Sequence, residues 1–227
     1  MIVSLNASIS ASISAYDKLR QAILSLELSP GAVLTERQLE GFLETSRTTV
    51  RSALARLENE GLVARDGRGY MVTPIDLREI QHACEFREAI ELAAVRATIE
   101  RASNDAIQTV FLRLENTVPD TNLETYMSRA TDFHVSLAQL SNNPFFVRAL
   151  EDVLTRLARA RWFEASTQPA RERANAEHRR ILECLQARDA ATTEREIKAH
   201  LTRSKDRLLN ALLGSNQLQI RASNRKP

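Results

Sequence analysis

Three histidines are the groups in this chain with the widest range of chemistry. His134 lies in Asp132-Phe133-His134-Val135-Ser136-Leu137, His178 in Ala176-Glu177-His178-Arg179-Arg180-Ile181-Leu182, and His200 in Lys198-Ala199-His200-Leu201. Each segment has the apolar spacing of a separate helix. Imidazole is the commonest protein ligand for zinc and also suits nickel and copper. Three helices converging in a bundle could bring three imidazoles onto one ion. Spacing along the chain leaves two arrangements open: convergence on a metal, or the surface and satisfied core positions that single helical histidines usually occupy. A second group is cationic. Thr45 to Leu57 contains Arg47, Arg51 and Arg56 and no acid, while Glu58 and Glu60 follow at its far end. Arg47 and Arg51 are four residues apart and share a helix face. Guanidinium groups so placed suit phosphates and guanine edges; the alternative is an ordinary solvated helix face.

The elements that must position these arginines have local causes. Pro30-Gly31 ends a preceding helix, because proline lacks a donor and glycine accepts turn geometry. Thr35 with Gln38 three residues later makes a capping box, and Leu39, Phe42 and Leu43 form one apolar face. Thr45 or Ser46 caps the next helix, in which Val50, Leu54 and Leu57 share a face. Gly61 stops it. Leu62-Val63 and Tyr70-Met71-Val72 are β-prone runs around Asp66-Gly67-Arg68-Gly69, a loop with hairpin chemistry. Helix, turn, arginine-bearing helix and hairpin follow in the order of a winged helix-turn-helix, which places its second helix in the DNA major groove. Arg47 and Arg51 then face the groove. Arg37, Ser46, Thr48 and Thr49 support base or phosphate contacts, and Arg68 and Gly69 contribute from the wing.

Thr73-Pro74-Ile75 reads as a linker. Beyond it the spacing predicts helices over 76–102, 104–116, 122–140, 144–166, 169–187 and 190–212 and no strand. Breaks fall at Ser103-Asn104, Val118-Pro119-Asp120, Asn142-Asn143-Pro144, Gln168-Pro169 and Arg188-Asp189. Helices of this length make an antiparallel bundle, whose core is a usual place for ligand and metal sites. The fold class is therefore mainly α. An N-terminal winged helix-turn-helix spans 1–74, a C-terminal all-α bundle spans 75–213, and residues 1–10 and the 214–227 tail are expected to be poorly ordered.

Composition agrees. The chain has 227 residues, six glycines, six prolines and a formal charge of +2. Residues 1–74 carry eight acids and eight bases, so arrangement rather than bulk charge points to nucleic acid. Cys84 and Cys184 lie in helical segments and read as reduced packing residues of a cytoplasmic protein. The N-terminal stretch lacks a basic n-region, which argues against a signal peptide, and no apolar run approaches membrane-spanning length.

The N-terminal segment resembles the GntR superfamily of bacterial transcription regulators. The matching residues are Leu34-Thr35-Glu36-Arg37-Gln38-Leu39, Ser46-Arg47-Thr48-Thr49-Val50-Arg51, Ala53-Leu54 and Leu57…Gly61-Leu62-Val63. Thr49 stands where proline is usual, Thr45 where valine is usual, and Gly41, which weakens its helix, where alanine is common. The bundle is similar to the FCD effector domain of the FadR-type branch, through Arg87-Glu88-Ala89-Ile90-Glu91, Phe133-His134…Leu137, Asn143-Pro144, Glu177-His178…Ile181-Leu182 and His200-Leu201.

That resemblance implies a divalent metal, zinc or nickel, held by one aspartate and three histidines. The histidines carry over to His134, His178 and His200. The aspartate does not: the position one turn before His134 is Ala130. Asp132 is about 200° around the helix from His134, and His82 matches no ligand position. The resemblance also implies that Arg87 grips a ligand carboxylate; an i,i+4 surface pair with Glu91 is the alternative. Trp162 could wall the pocket or belong to the core. Arg156, Arg159, Arg161, Arg171 and Arg173 read mostly as solvated faces. The expected protein is a homodimeric regulator, more often a repressor, that binds a palindromic double-stranded operator. A small carboxylate or sugar acid in the bundle changes its operator affinity. Alternatives are a dimeric DNA-binding regulator without an effector and a three-histidine metalloenzyme; no enzymatic activity is expected.

Overall fold

The computed structural model describes residues 15–115 and 123–214, with the side chains of Glu115, Glu124, Ser128, Arg129 and Asp132 left out. The order expectations for 1–10 and for the tail beyond Gly214, the break at 118–120 and the direction of Asp132 lie outside the described residues. The described chain divides into two compact units, one ending at Leu77 and one beginning at Arg78.

In the first unit, helix α1 covers residues 15–24 of the described chain. It is followed by strand β1 (Val33–Leu34), helices α2 (Glu36–Leu43) and α3 (Arg47–Asn59), and strands β2 (Val63–Asp66) and β3 (Gly69–Val72). Thr35 caps α2 in a full capping box with Gln38. Ser46, not Thr45, caps α3: its Oγ accepts from Thr49 N–H at 3.3 Å. α3 ends in a Schellman arrangement, with Gly61 at φ 72°, Gly61 N–H donating to Glu58 O and Leu62 N–H to Leu57 O. Leu19, Ile23, Leu39, Val50, Leu54, Leu57 and Val72 share one core, which fixes the angle between α2 and α3.

The wing has one more strand than the sequence suggested. β3 pairs antiparallel with β2 and also with β1, through Val33 opposite Met71 and Leu34 opposite Tyr70. A two-residue strand carries no readable alternation, so it left no signal. Gly67 takes φ 56° at the hairpin tip. A Cβ at Gly69 would stand 2.9 Å from Leu34 O, so this close approach requires glycine.

The second unit holds α4 (Leu77–Arg101, counted from its second residue), α5 (Asn104–Glu115), α6 (Leu123–Leu140), α7 (Pro144–Glu164), α8 (Gln168–Gln186) and α9 (Ala190–Gly214). Connections of three residues follow α6, α7 and α8, which forces antiparallel neighbours. Their caps are local: Asn143 Oδ1 accepts from Phe145 N–H ahead of α7, and Asp189 Oδ1 from Thr192 N–H ahead of α9. Val95, Ile107, Phe133, Leu137, Ile181, Leu182, Ile197 and Leu201 form one core, and Tyr126, Met127, Ala130, Ala165 and Ala174 form a second cluster. No helix among the described residues is long and apolar enough to cross a membrane.

Candidate functional site

The exposed face of α3 and its surroundings carries most of the expected DNA-facing residues. Arg37, Ser46, Arg47, Thr48, Arg51 and Arg68 are exposed and Gly69 is half-buried. Thr49 is the exception. It is buried, and its hydroxyl lies 2.9 Å from Ser46 Oγ, because the third helical position turns inward beneath the cap. The stretch that is acid-free in sequence is not acid-free in space. Glu36 of α2 accepts from Arg47 Nε at 2.5 Å and stands 3.4 Å from Arg51 Nε. The hydrogen bond from Arg47 is the main reason its carboxyl is held below the usual range. Glu36 was missed because its partners lie eleven and fifteen residues away on the next helix.

In the second unit the three histidines converge. His134 of α6, His178 of α8 and His200 of α9 are each 2 % exposed, with ring centroids 4.7 to 5.3 Å apart. Phe133 stacks on His178 at 3.9 Å and holds its ring plane. His134 Nδ1 lies 2.8 Å from Glu91 Oε2, and His200 Nδ1 lies 2.7 Å from Glu177 Oε2. Burial is the first cause that keeps these imidazoles neutral, pushing His134 down to about 3, His178 well below its usual value and His200 also downward. Neutral rings with Nδ1–H donating to a carboxylate leave the Nε2 lone pairs facing inward.

Glu91 is a buried carboxylate. Burial alone would raise its pKa, but His134 and Arg87 together hold it ionised, with Arg87 Nε donating at 2.6 Å. The Arg87–Glu91 pair therefore forms, but in the interior rather than at the surface. Arg87 Nη2 also donates to His134 Nε2 at 2.8 Å.

These residues suit a divalent metal. His178 Nε2 and His200 Nε2 are buried with no hydrogen-bond partner, a costly arrangement unless something else uses the lone pairs. One ligand atom from each histidine lies within 4.8 Å of the others. Zinc–imidazole bonds of about 2.0–2.1 Å require nitrogens about 3.4 Å apart, so the rings need draw together only modestly. Carboxylates behind two of the rings orient them and raise their basicity. Ala130 lies in the same cavity wall and offers a methyl group.

The cavity holds about 360 Å³ with its mouth included, and Arg87, Arg161, Tyr126 and the three histidines line it. Trp162 does not line it; its ring packs against the Tyr126–Ala130 cluster instead. His82 is exposed. Arg159 and Arg161 are buried, unlike the solvated faces expected for most of the arginines; two residues apart, they leave α7 on nearly opposite sides, both of them covered, and only Arg161 lines the cavity.

Residues 82–203 match the FCD domain, which is more than half of the chain, and residues 12–72 match the bacterial regulatory proteins of the gntR family. The chain belongs to the GntR family, FCD type. This GntR regulator is 30% identical over 190 residues to an uncharacterized HTH-type transcriptional regulator in an unstable DNA locus of Streptomyces ambofaciens, covering 82% of this chain and 80% of the relative. It is 26% identical to the HTH-type transcriptional repressor RspR of Escherichia coli (strain K12), covering 82% of this chain and 83% of that one. Its fold is similar to that of E. coli McbR/YncC, with TM-score 0.70 and 19% identity over 89% of this chain and 98% of that one. The protein is a DNA-binding transcription regulator of this family, and the family and these relatives are regulators rather than enzymes.

Proposed function

We propose that this regulator is a homodimeric, cytoplasmic repressor whose operator affinity responds to a small organic acid bound at a metal in the FCD cavity. The observation that carries the effector site is the pair of buried, partnerless nitrogens, His178 Nε2 and His200 Nε2, beside His134. His134, His178 and His200 would hold zinc or nickel, both of which accept imidazole nitrogen. The ion would act as a Lewis acid that takes a carboxylate oxygen of the effector, since Ala130 supplies none. Arg47 and Arg51 read the groove, with Arg37, Ser46, Thr48, Arg68 and Gly69 supporting, on two half-sites of a pseudo-palindrome. An effector shifts operator affinity only if it binds the two arrangements of the dimer unequally.

The test uses full-length protein purified without chelator or histidine tag. Metal content near one per chain, lost in His178→Ala and His200→Ala, is the expected result. Operator titrations with and without added zinc, and with sugar acids and dicarboxylates, then read the coupling. A metal-free wild type that stays metal-free on zinc addition rejects the metal reading. Operator affinity indifferent to every acid leaves a regulator without an effector.

A further inference from the structure

Two arginines line the FCD cavity, and their charges are in different states. Arg87 is spent: its Nε donates to Glu91 and its Nη2 to His134. Arg161 is 6% exposed, lines the same cavity, and donates through Nη1 only to the neutral hydroxyl of Thr131, at 3.0 Å. It forms no ion pair among the described residues. The nearby carboxylates are committed elsewhere. Glu164 accepts from Arg207 at 2.8 Å and from Ser204 at 3.3 Å, and Glu177 accepts from His200, Arg203 and Arg207. Among the charged side chains that line the cavity or pair with those that do, the cations are Arg87, Arg161 and Arg207 and the anions are Glu91, Glu164 and Glu177. Three against three balances the set, but Arg87 and Arg207 hold their carboxylates in ion pairs and Arg161 stands outside them. A buried guanidinium without a counter-ion is costly. Burial, with Arg87 adding to it, pushes Arg161 down to about 10.

We propose that Arg161, rather than Arg87, receives an acid group of the effector, and that the effector is a small dicarboxylate with its other acid group on the metal–imidazole cluster. This rests on the metal reading above. Three neutral imidazoles and Ala130 leave a dication uncompensated, and Arg161 adds a further positive charge in the same cavity. A monocarboxylate neutralises only one of these centres. A dicarboxylate answers both, and the guanidinium fork matches a carboxylate bidentately.

The experiment is calorimetric titration of full-length, zinc-loaded protein with matched probes: succinate against butyrate, malonate against propionate, and gluconate as a sugar acid. At least one dicarboxylate should bind about tenfold or more tighter than its matched monocarboxylate and than gluconate. R161M should bring that ratio within about threefold, while its zinc content and melting behaviour stay near wild type. R161K, which keeps the charge but loses the fork, should fall between them, and it decides the matter if R161M does not fold. Equal or absent binding within both pairs overturns the proposal, as does a preference that survives R161M, or one that R161K leaves unchanged when R161M does not fold. Zinc is assayed separately. A wild type that retains no zinc but keeps an Arg161-dependent preference overturns the metal reading instead.

Discussion

Arg87 Nη2 donates to His134 Nε2 at 2.8 Å, the nitrogen that the Glu91 contact leaves free to accept. Guanidinium and metal therefore compete for one lone pair. Removing Arg87 should have opposite effects on the two states. In chelator, R87M breaks a buried ion pair and should destabilise the fold by about 3–5 kcal/mol. With zinc, the freed nitrogen and the uncompensated Glu91 both favour a dication. The zinc-induced rise in unfolding midpoint should be larger in R87M than in wild type, and denaturant melts with and without zinc would read it. An equal rise in both proteins means that Arg87 does not contest the site.

Ala130 is 5% exposed, on α6 one turn before His134. Ala130→Asp places a carboxylate on that helix face and should tighten zinc by about tenfold or more. Competition against a chromogenic chelator measures it. Unchanged affinity shows that water or effector already fills that position.

The buried imidazoles give acid sensitivity with a definite sign. Burial is the leading cause of the depressed values of all three, His134 reaching about 3. The unfolded chain therefore binds more protons than the folded one between the ordinary histidine value and these values. Stability is complete above about pH 6.5 and falls as pH drops below it, by up to about 1.4 kcal/mol per pH unit for each imidazole. Glu177, held down to about 2 by His200, Arg207 and Arg203 against the opposing effect of burial, adds a loss in the same direction that begins only near pH 4.5. Urea midpoints in chelator should thus decline already between pH 6.5 and 5. A flat profile in that window, with loss only below 4.5, would assign the sensitivity to carboxylates alone.

Glu36 shares its carboxylate between Arg47 and Arg51. Glu36→Gln removes a negative charge from the surface proposed to meet phosphates and releases both guanidinium groups. Non-specific DNA affinity should rise by about threefold to tenfold with a steeper salt dependence, while the ratio of specific to non-specific affinity falls. Titrations of operator and scrambled duplex at several salt concentrations check this. Parallel weakening on both duplexes would instead indicate a damaged domain.

The helices of the second unit were legible where turn residues bound them, as Asn143-Pro144 does before α7 and Arg188-Asp189 before α9. The ranges expected from spacing, such as 104–116 and 169–187, lie within two residues of α5 and α8. The capping box at Thr35 and the stop at Gly61 were legible for the same reason: both are written within four residues of chain. The convergence of His134, His178 and His200 needed the resemblance, since spacing was silent on it. The pairing of Arg87 with Glu91 was open at i,i+4, but its burial was not readable. Arg159 and Arg161 were not singled out because α7 has arginines on several faces, and only packing tells the covered ones from the solvated ones. Glu36 was missed because a charge contact between two helices leaves no trace in local sequence.

The close approach of Gly69 to Leu34 O gives the hairpin a fixed root and a free tip. Leu34 immediately precedes the Thr35 cap, so any side chain at 69 would push on the entry to α2 as well as on the wing. Gly67 and Arg68 at the tip are exposed, and a Cβ at Gly67 would meet no atom within 4 Å. Changes to the exposed side chain at 68 can therefore accumulate without disturbing the helices, whereas a change at 69 must be answered elsewhere in the domain. Descendants of this regulator could retune what the tip touches while inheriting its hinge point unaltered.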